Sequence, residues 1–448
     1  MEKAIIILAA GKGERMRSRL PKVMHPLAGR PMLTHVCAVA GELAPARMVV
    51  VIGKDMDAAR AVVPGAQFVV QDPPRGTGHA VACAREALAG FDGDVLILFG
   101  ADPLITPQTL RRMIDARREA AVVVLGFRPD DPAHYGRLVI DEAGALERIV
   151  EFKDASAAER AIAWCNSGVM AVDGAVLFAL IDAIDDNNAG GEYYLTDIVA
   201  IARQRGLGCR VVEAGADEVL GVNSREELAQ VEAVQQGRLR RAAMAAGATL
   251  LDPGSVTFSF DTKLGRDVTV GPHVVFGPGV EVGDEVTIHP FCHLEGVRIA
   301  PRASVGPFAR LRPGAEIGEA AKIGNFVEIK KAVVEAGAKV SHLSYIGDAR
   351  IGAGANIGAG TITCNYDGFF KSFTDIGPGA FIGSNTALVA PVKIGAGAIT
   401  CAGSTITRDV ADDALATTRP EQAEKAGWAR RFRARKAEQK AAAAAGKK

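Results

Sequence analysis

The chain has 448 residues, enough for about two or three domains of ordinary size and enough to bury cores without disulfide staples. Lys+Arg and Asp+Glu both number 52, so the net charge is zero, which excludes a globally basic nucleic-acid binder and an acidic disordered chain. Hydrophobic residues make up 48% and charged residues 23%, but glycine reaches 50 residues and aromatics only 5%; a glycine-rich, aromatic-poor chain with many Val and Ile residues points to a repetitive β architecture.

No apolar run reaches the ~18 residues of a membrane span. Residues 1–10 read as a buried strand running into Gly11-Lys12-Gly13, not as a signal peptide. Cys37, Cys83, Cys165, Cys209, Cys292, Cys364 and Cys401 are scattered with no Cys-x-x-Cys pair, so neither a disulfide framework nor a zinc knuckle is expected. The expectation is a soluble, cytoplasmic protein with reduced thiols.

Residues 1–222 alternate continuous apolar runs (4–8, 48–52, 95–99, 122–125) with helical patterns such as 31–43 and 78–88. Unbroken apolar strands are buried on both faces, which predicts an α/β Rossmann-like domain with a mainly parallel sheet. Residues 223–246 read as one linker helix: Ser224 and Glu227 form a capping box, Leu228, Val231, Val234 and Leu239 form an apolar stripe, and Arg238, Arg240 and Arg241 near its end suit the negative pole of the helix dipole. Residues 247–448 hold a period of six: Val270, Phe276, Val282, Ile288, Leu294, then Ile299, Val305, Leu311, Ile317, Ile323, Ile329, resuming at Ile351, Ile357, Ile376, Ile382, Leu388 and Ile394. Such a hexapeptide repeat predicts a parallel β-helix with the aliphatic residue inside. Residues 364–374 break the rhythm and are expected as an extruded loop. The basic tail 419–448 reads as a solvated helix or as a contact to a neighbouring subunit or an anion.

The first strand ends in Ala9-Ala10-Gly11-Lys12-Gly13-Glu14-Arg15-Met16, followed by Leu20-Pro21-Lys22. Glycines that admit phosphate to backbone N–H groups, with Lys12, Arg15 and Lys22 as cations, make a phosphate-binding turn. It matches neither the P-loop nor the dinucleotide fingerprint. It resembles the nucleotidyltransferases that make nucleoside-diphosphate sugars, with Glu14 where that family has Thr. The resemblance implies a left-to-right set of contacts for UTP or its product: Leu8, Ala9, Ala10, Gly11, Lys22, Gln71, Gly76 and Thr77 on the nucleotide, and Gly136, Glu151 and Asn166 on the sugar. Asn223, in Gly221-Val222-Asn223, is implied as a nucleotide contact and Mg²⁺ ligand, with Arg15 and Lys22 catalytic. The family's metal Asp directly follows a strand-ending glycine. Here that position is Ala101, and the acid is Asp102. In extended backbone a one-residue slip turns a side chain to the opposite face, so Asp102 either reaches the metal through a local backbone shift, holds it more weakly, or leaves the nucleotidyl step impaired.

The repeat region carries Arg310-Leu311-Arg312, Asn325-Phe326-Val327-Glu328-Ile329-Lys330-Lys331, His342-Leu343-Ser344-Tyr345 and Cys364-Asn365-Tyr366-Asp367-Gly368. These segments resemble the second half of the bifunctional N-acetylglucosamine-1-phosphate uridylyltransferase/glucosamine-1-phosphate acetyltransferase family, and the resemblance spans the chain to Arg419 and Trp428. It implies a left-handed β-helix, a homotrimer with shared acetyl sites, acetyl-CoA and UTP as substrates, and products that feed peptidoglycan and lipopolysaccharide precursors. It further implies His342 as the general base, Arg312, Lys330, Tyr345 and Asn356 around glucosamine-1-phosphate, and Ala359, Asn365, Tyr366, Ser384, Ala402 and Arg419 around acetyl-CoA, with Asn365 and Tyr366 on the extruded loop also orienting the sugar. Imidazole is the side chain whose pKa suits deprotonating an amine at neutral pH. A second reading, of a metal held by His289, Cys292 and His293, is disfavoured because in a hexapeptide coil they point in different directions.

Overall fold

The computed structural model of the chain describes residues 1–132 and 134–445. Two compact units emerge: Met1–Ala248 with Pro253–Thr262 and Phe276–Gly279, and Thr249–Asp252 with Lys263–Val275 and Val280–Lys448.

In the first unit all four apolar runs are strands, ordered in the sheet as Cys209–Glu213, Val122–Phe127, Cys165–Asp173, Asp94–Phe99, Lys3–Leu8, Arg47–Gly53 and Gln67–Gln71. Neighbours are parallel except Cys165–Asp173, which runs antiparallel between Asp94–Phe99 and Val122–Phe127. Alternate residues of each strand feed two cores, Ile5, Ile7, Val50, Leu96 and Leu98 on one face and Ile6, Val49, Val51, Val95 and Ile97 on the other. From Lys3–Leu8 the chain crosses to one side and from Asp94–Phe99 to the other, so the carboxyl ends of this adjacent pair frame the crevice in which open α/β sheets bind ligands.

The connecting helix is Arg225–Ala245, capped reciprocally as its sequence predicts: Glu227 N–H donates to Ser224 Oγ at 3.2 Å, and Ser224 N–H to Glu227 Oε2 at 2.8 Å. The dipole reading of its arginines is corrected. The helix runs on past them, leaving no basic residue in its last turn. Arg238 instead donates to Leu104 O at 2.6 Å and Arg240 to Val256 O at 2.8 Å, tying the helix to backbone carbonyls within the same unit.

The second unit is a left-handed parallel β-helix. Every inward position named from the period of six is buried. The sequence reading left a gap between Ile329 and Ile351; the structure fills it with buried Val334, Val340 and Ile346, so the coil continues unbroken. One face carries a ladder in which Lys263, Glu281, Arg298 and Glu316 stack in register with alternating charge, followed by Val333, Arg350, Asp375 and Lys393. Opposite charges on adjacent strands favour this register, the Lys263–Glu281 pair standing at 2.7 Å. The extruded loop lies between strands Ile362–Cys364 and Thr374–Ile376 and is closed by a bridge between Tyr366 and Lys371. Trp428–Ala445 is a helix, its described side chains exposed; tail residues 446–448 lie outside the described residues. Among the described residues no helix is long and apolar enough to cross a membrane.

Candidate functional site

At the crevice of the first unit a cavity of about 500 Å³ is lined by Leu8, Ala9, Ala10, Gly11, Lys22, Gln71, Gly76, Thr77, Ala101, Asp102, Gly221 and Asn223, among others. A second hollow of about 310 Å³ shares Lys22 and Asn223 and adds Lys12, Gly13, Glu14 and Arg15. The nucleotide-contacting residues inferred from sequence thus converge on one place, with a cationic vestibule beside it. Gly76 has φ of 105°, and a Cβ there would stand 2.6 Å from Tyr193 O, so the turn after Gln71 requires glycine. Gln71 Nε2 donates to Gly76 O at 2.9 Å, which commits the amide nitrogen internally and leaves Oε1 as an acceptor.

The Ala101/Asp102 slip is resolved by the local backbone. Extended structure ends at Phe99. Asp102 N–H donates back to Phe99 O at 3.1 Å, so residues 99–102 form a turn and the rule that adjacent side chains face opposite ways does not apply. Both Ala101 and Asp102 face the cavity. Val222 N–H donates to Ala101 O at 3.0 Å, bringing the segment with Asn223 against this turn, and Asn223 N–H is held by Glu227 Oε2 of the capping box at 2.5 Å. Asn223 Oδ1 accepts from Lys22 Nζ at 3.0 Å. Burial pushes the Asp102 carboxyl well above the usual carboxylate range, with the Lys22 ammonium opposing; burial likewise lowers Lys22. The donor set fits Mg²⁺: hard oxygens from one carboxylate and one amide suffice when substrate phosphates supply others. Among the described residues no three His, Cys, Asp or Glu side chains gather as a ligand group.

The sugar-side residues form a neighbouring cluster rather than part of the same wall. Asn166 N–H donates to Gly136 O at 2.9 Å, and Thr196 Oγ1 donates to Glu151 at 3.2 Å. Glu151 lines a hollow of about 440 Å³ with Asp154, Asp185, Asp197 and Tyr194. Burial raises its carboxyl, and Asp154 and Asp197 add to the rise. Tyr135 and Ser167 stand on the main cavity wall, flanking this cluster in sequence; Ser167 carried no sequence signal.

In the β-helix, His342 ends the strand Lys339–His342 at an exposed corner, its Nδ1 2.8 Å from Asn325 Oδ1. Arg312 donates to Glu328 at 2.8 Å, so the guanidinium expected at the sugar phosphate is paired with a carboxylate, and Arg310 approaches the same carboxylate at 3.7 Å. Lys330 lies beside Lys371 of the extruded loop, and this neighbouring lysine holds Lys330 below its usual pKa. Lys371 was not singled out from sequence, because only the loop's hairpin closure returns it to the coil. Tyr345 and Asn365 meet over Gly347, where a Cβ would stand 2.4 Å from Tyr345 Oη and 2.9 Å from Asn365 Nδ2; Asn365 Nδ2 donates to Asp348. Tyr366 is exposed on the loop, its hydroxyl donating to Gly368 O at 2.6 Å, and Asn356 sits at a strand start, partly exposed. Ala359 and Ser384 follow His342 along the corner on successive coils, their carbonyls accepting from Asn385 and Gly403 N–H at 2.7 and 2.8 Å, and Arg419 Nη1 reaches Ala402 O at 3.4 Å. His289, Cys292 and His293 diverge: Cys292 is buried with its thiol pushed up to about 11, His293 is exposed, and His289 meets Ser304 Oγ at 3.2 Å.

Residues 5–164 match the MobA-like NTP transferase domain, and residues 261–296 and 373–408 match the bacterial transferase hexapeptide (six repeats). The chain is similar to proteins named bifunctional protein GlmU from Paramagnetospirillum magneticum, 62% identical with 98% of each chain covered, and from Rhodospirillum rubrum, 65% identical over 96% of this chain and 97% of the relative. The chain belongs to the GlmU family. A third relative of that name, from Sphingopyxis alaskensis, is 57% identical over 96% of both chains. The GlmU-family chain is therefore a bifunctional transferase, a nucleotidyltransferase half followed by a hexapeptide acyltransferase half. An impaired nucleotidyl half finds no support: the family match runs through the whole first unit, and the turn at 99–102 removes the geometric objection on which that alternative stood.

Proposed function

We propose that the chain N-acetylates glucosamine-1-phosphate with acetyl-CoA and then couples the product to UTP, releasing pyrophosphate and yielding UDP-N-acetylglucosamine for cell-wall precursors in the cytoplasm. The convergence of Lys22, Asp102 and Asn223 at the end of the first strand pair carries the nucleotidyl half of this reading. Gln71 Oε1 accepts the uracil N3–H, and the backbone at Gly76-Thr77 donates to a uracil carbonyl. Lys12, Arg15 and Lys22 take the phosphates, with the pyrophosphate end in the vestibule. Gly136, Glu151 and Asn166 take the sugar. Asp102 and Asn223 would hold Mg²⁺, which supplies charge neutralisation on the phosphates when bound. A phosphate oxygen of N-acetylglucosamine-1-phosphate then attacks the α-phosphorus in line and pyrophosphate leaves; positioning and charge neutralisation suffice for this step.

In the acetyl half, His342 removes a proton from the attacking amine as its nitrogen bonds the thioester carbon and coenzyme A leaves. Arg312, Lys330 and Lys371 take the sugar phosphate, Tyr345, Asn356 and Asn365 orient the sugar, and Ala359, Tyr366, Ser384, Ala402 and Arg419 bound the coenzyme groove. The domains of this reading are residues 1–222 and 247–448, joined by the helix at 223–246. The chain works as a trimer: half-exposed Phe291, Phe308 and Phe326 stack at 4.9 and 5.1 Å along the corner beside His342, an apolar stripe that neighbouring copies cover. The test is two separate assays on purified chain, pyrophosphate release from UTP plus N-acetylglucosamine-1-phosphate with Mg²⁺, and thiol release from acetyl-CoA plus glucosamine-1-phosphate. Activity in both is expected; silence in either removes that half of the proposal.

A further inference from the structure

One corner of the β-helix takes a single residue from each successive coil, always two places after an inward aliphatic one: Pro290, Pro307, Asn325, His342 and Ala359 follow Ile288, Val305, Ile323, Val340 and Ile357. The column is held by backbone ladders. Asn325 and His342 pair in register, Leu343 N–H donates to Asn325 O at 3.0 Å, and Gly360 N–H donates to His342 O at 3.3 Å. His342 thus has two column neighbours. Ala359 offers a methyl group. Asn325 offers an amide, and its Oδ1 lies 2.8 Å from His342 Nδ1.

An amide oxygen accepts and does not donate, so the ring nitrogen facing it carries the proton. The other nitrogen, Nε2, is then bare. Free neutral imidazole side chains in water favour the opposite tautomer, with the proton on Nε2, and an exposed ring rotates about its side-chain bonds. Both tendencies withhold the base from the amine. We infer that Asn325 is a positioning residue of acetyl transfer, holding Nδ1–H of His342 so that unprotonated Nε2 faces the acceptor amine. The inference rests on the reading of His342 as general base. As the C–N bond forms and the C–S bond breaks, the amine proton passes to Nε2. The imidazolium keeps its Nδ1–H bond to Asn325, and the proton then leaves to the coenzyme thiolate. A neutral acceptor suits this cycle, because it fixes the tautomer without the strong preference for imidazolium that a carboxylate would impose.

The experiment uses the full chain labelled with ¹⁵N-histidine, with the His342 signal assigned by its loss in His342→Ala. In the unsubstituted chain the spectrum should show protonated Nδ1 and bare Nε2. Asn325→Leu, which removes the acceptor at similar size, should shift the ring toward the Nε2–H tautomer and lower kcat of acetyl transfer by about 10- to 100-fold, with KM for both substrates unchanged. Asn325→Asp, which keeps an acceptor but makes it anionic, should keep the proton on Nδ1 and move the rise of kcat with pH to higher pH. Pyrophosphate release by the first half reports on chain integrity in every variant. An unmoved tautomer in Asn325→Leu overturns the inference whether or not kcat falls, since a merely structural loss would leave the ring as it was. Retained acetyl transfer in His342→Ala overturns the base reading itself and the inference with it. Loss in His342→Ala with an unmoved tautomer in Asn325→Leu defeats only the inference.

Discussion

Replacing Asp102 by Asn keeps the volume of a nearly fully buried side chain while removing its charge. The fold should survive: Asp102 makes its turn through the backbone, by donation to Phe99 O, and Asn reproduces that bond. What is lost is the anionic oxygen beside Lys22 and Asn223. Removing one preorganised electrostatic contact to a charged transition state typically costs ~2.7–4 kcal/mol, or about 10²–10³ in rate, and loss of a metal contact belongs at the upper end because several kcal/mol of charge neutralisation go with it. Pyrophosphate release should therefore fall by about three orders of magnitude, with Mn²⁺ binding by paramagnetic resonance in the presence of UTP weakened in parallel. Acetyl transfer in the same preparation should be unchanged. The companion swap, Ala101→Asp with Asp102→Thr, restores the spacing usual in nucleotidyltransferases but places the acid earlier in the turn, and it should lower pyrophosphate release. A normal rate in Asp102→Asn, or a swap variant faster than the natural chain, would refute the reasoning.

Three further outcomes are expected. Gly347→Ala puts a methyl 2.4 Å from Tyr345 Oη, so it should raise KM for glucosamine-1-phosphate by about tenfold or more and leave pyrophosphate release intact; an unchanged KM would show that Tyr345 and Asn365 do not bound the sugar site. Burial holds His35, hydrogen-bonded to Leu27 O at 2.8 Å, down to about 4 from 6.5. The unfolded chain then binds the extra proton, so the contribution is complete above pH 6.5 and is lost as pH falls toward 4, about 3 kcal/mol in all at ~1.4 kcal/mol per unit; His35→Gln should flatten this acid dependence of the urea midpoint. Arg117 lies almost fully buried between Asp94 and Asp173, each at 3.2 Å, so Arg117→Met strands the buried Asp94 carboxylate and should cost ~3–5 kcal/mol, read as a drop in Tm that Asp94→Asn partly restores.

The repeat architecture was legible because each coil writes the same instruction at the same spacing: an aliphatic residue inward and a small residue at the corner. The gap in that reading, at Val334, Val340 and Ile346, lies between two five-residue steps, Ile329 to Val334 and Ile346 to Ile351, which break the period of six although the pleat still turns these residues inward. The α/β sheet was legible from apolar runs too long to be half exposed. The nucleotide-side residues were legible as motifs clustered near strand ends. What stayed hidden depends on backbone geometry or on contacts across coils. The turn at 99–102 hides in Gly-Ala-Asp-Pro, whose spacing reads as a slip until the strand is seen to stop at Phe99. The Asn325–His342 bond joins side chains 17 residues apart, a distance meaningful only once the coil length is known. Lys371 reaches Lys330 only because the loop folds back on itself. The arginines of the linker helix looked like dipole partners because helix ends are poorly marked in sequence.

The most direct test of a single chain carrying both reactions is a one-pot conversion of glucosamine-1-phosphate, acetyl-CoA and UTP, with product followed by chromatography. The unsubstituted chain should form UDP-N-acetylglucosamine. His342→Ala and Asp102→Asn should each fail alone, the first accumulating no acetylated sugar and the second accumulating N-acetylglucosamine-1-phosphate, and a mixture of the two should restore product through the freely diffusing intermediate. Product from either variant alone at the unsubstituted rate would contradict the assignment of the two reactions to these two sites.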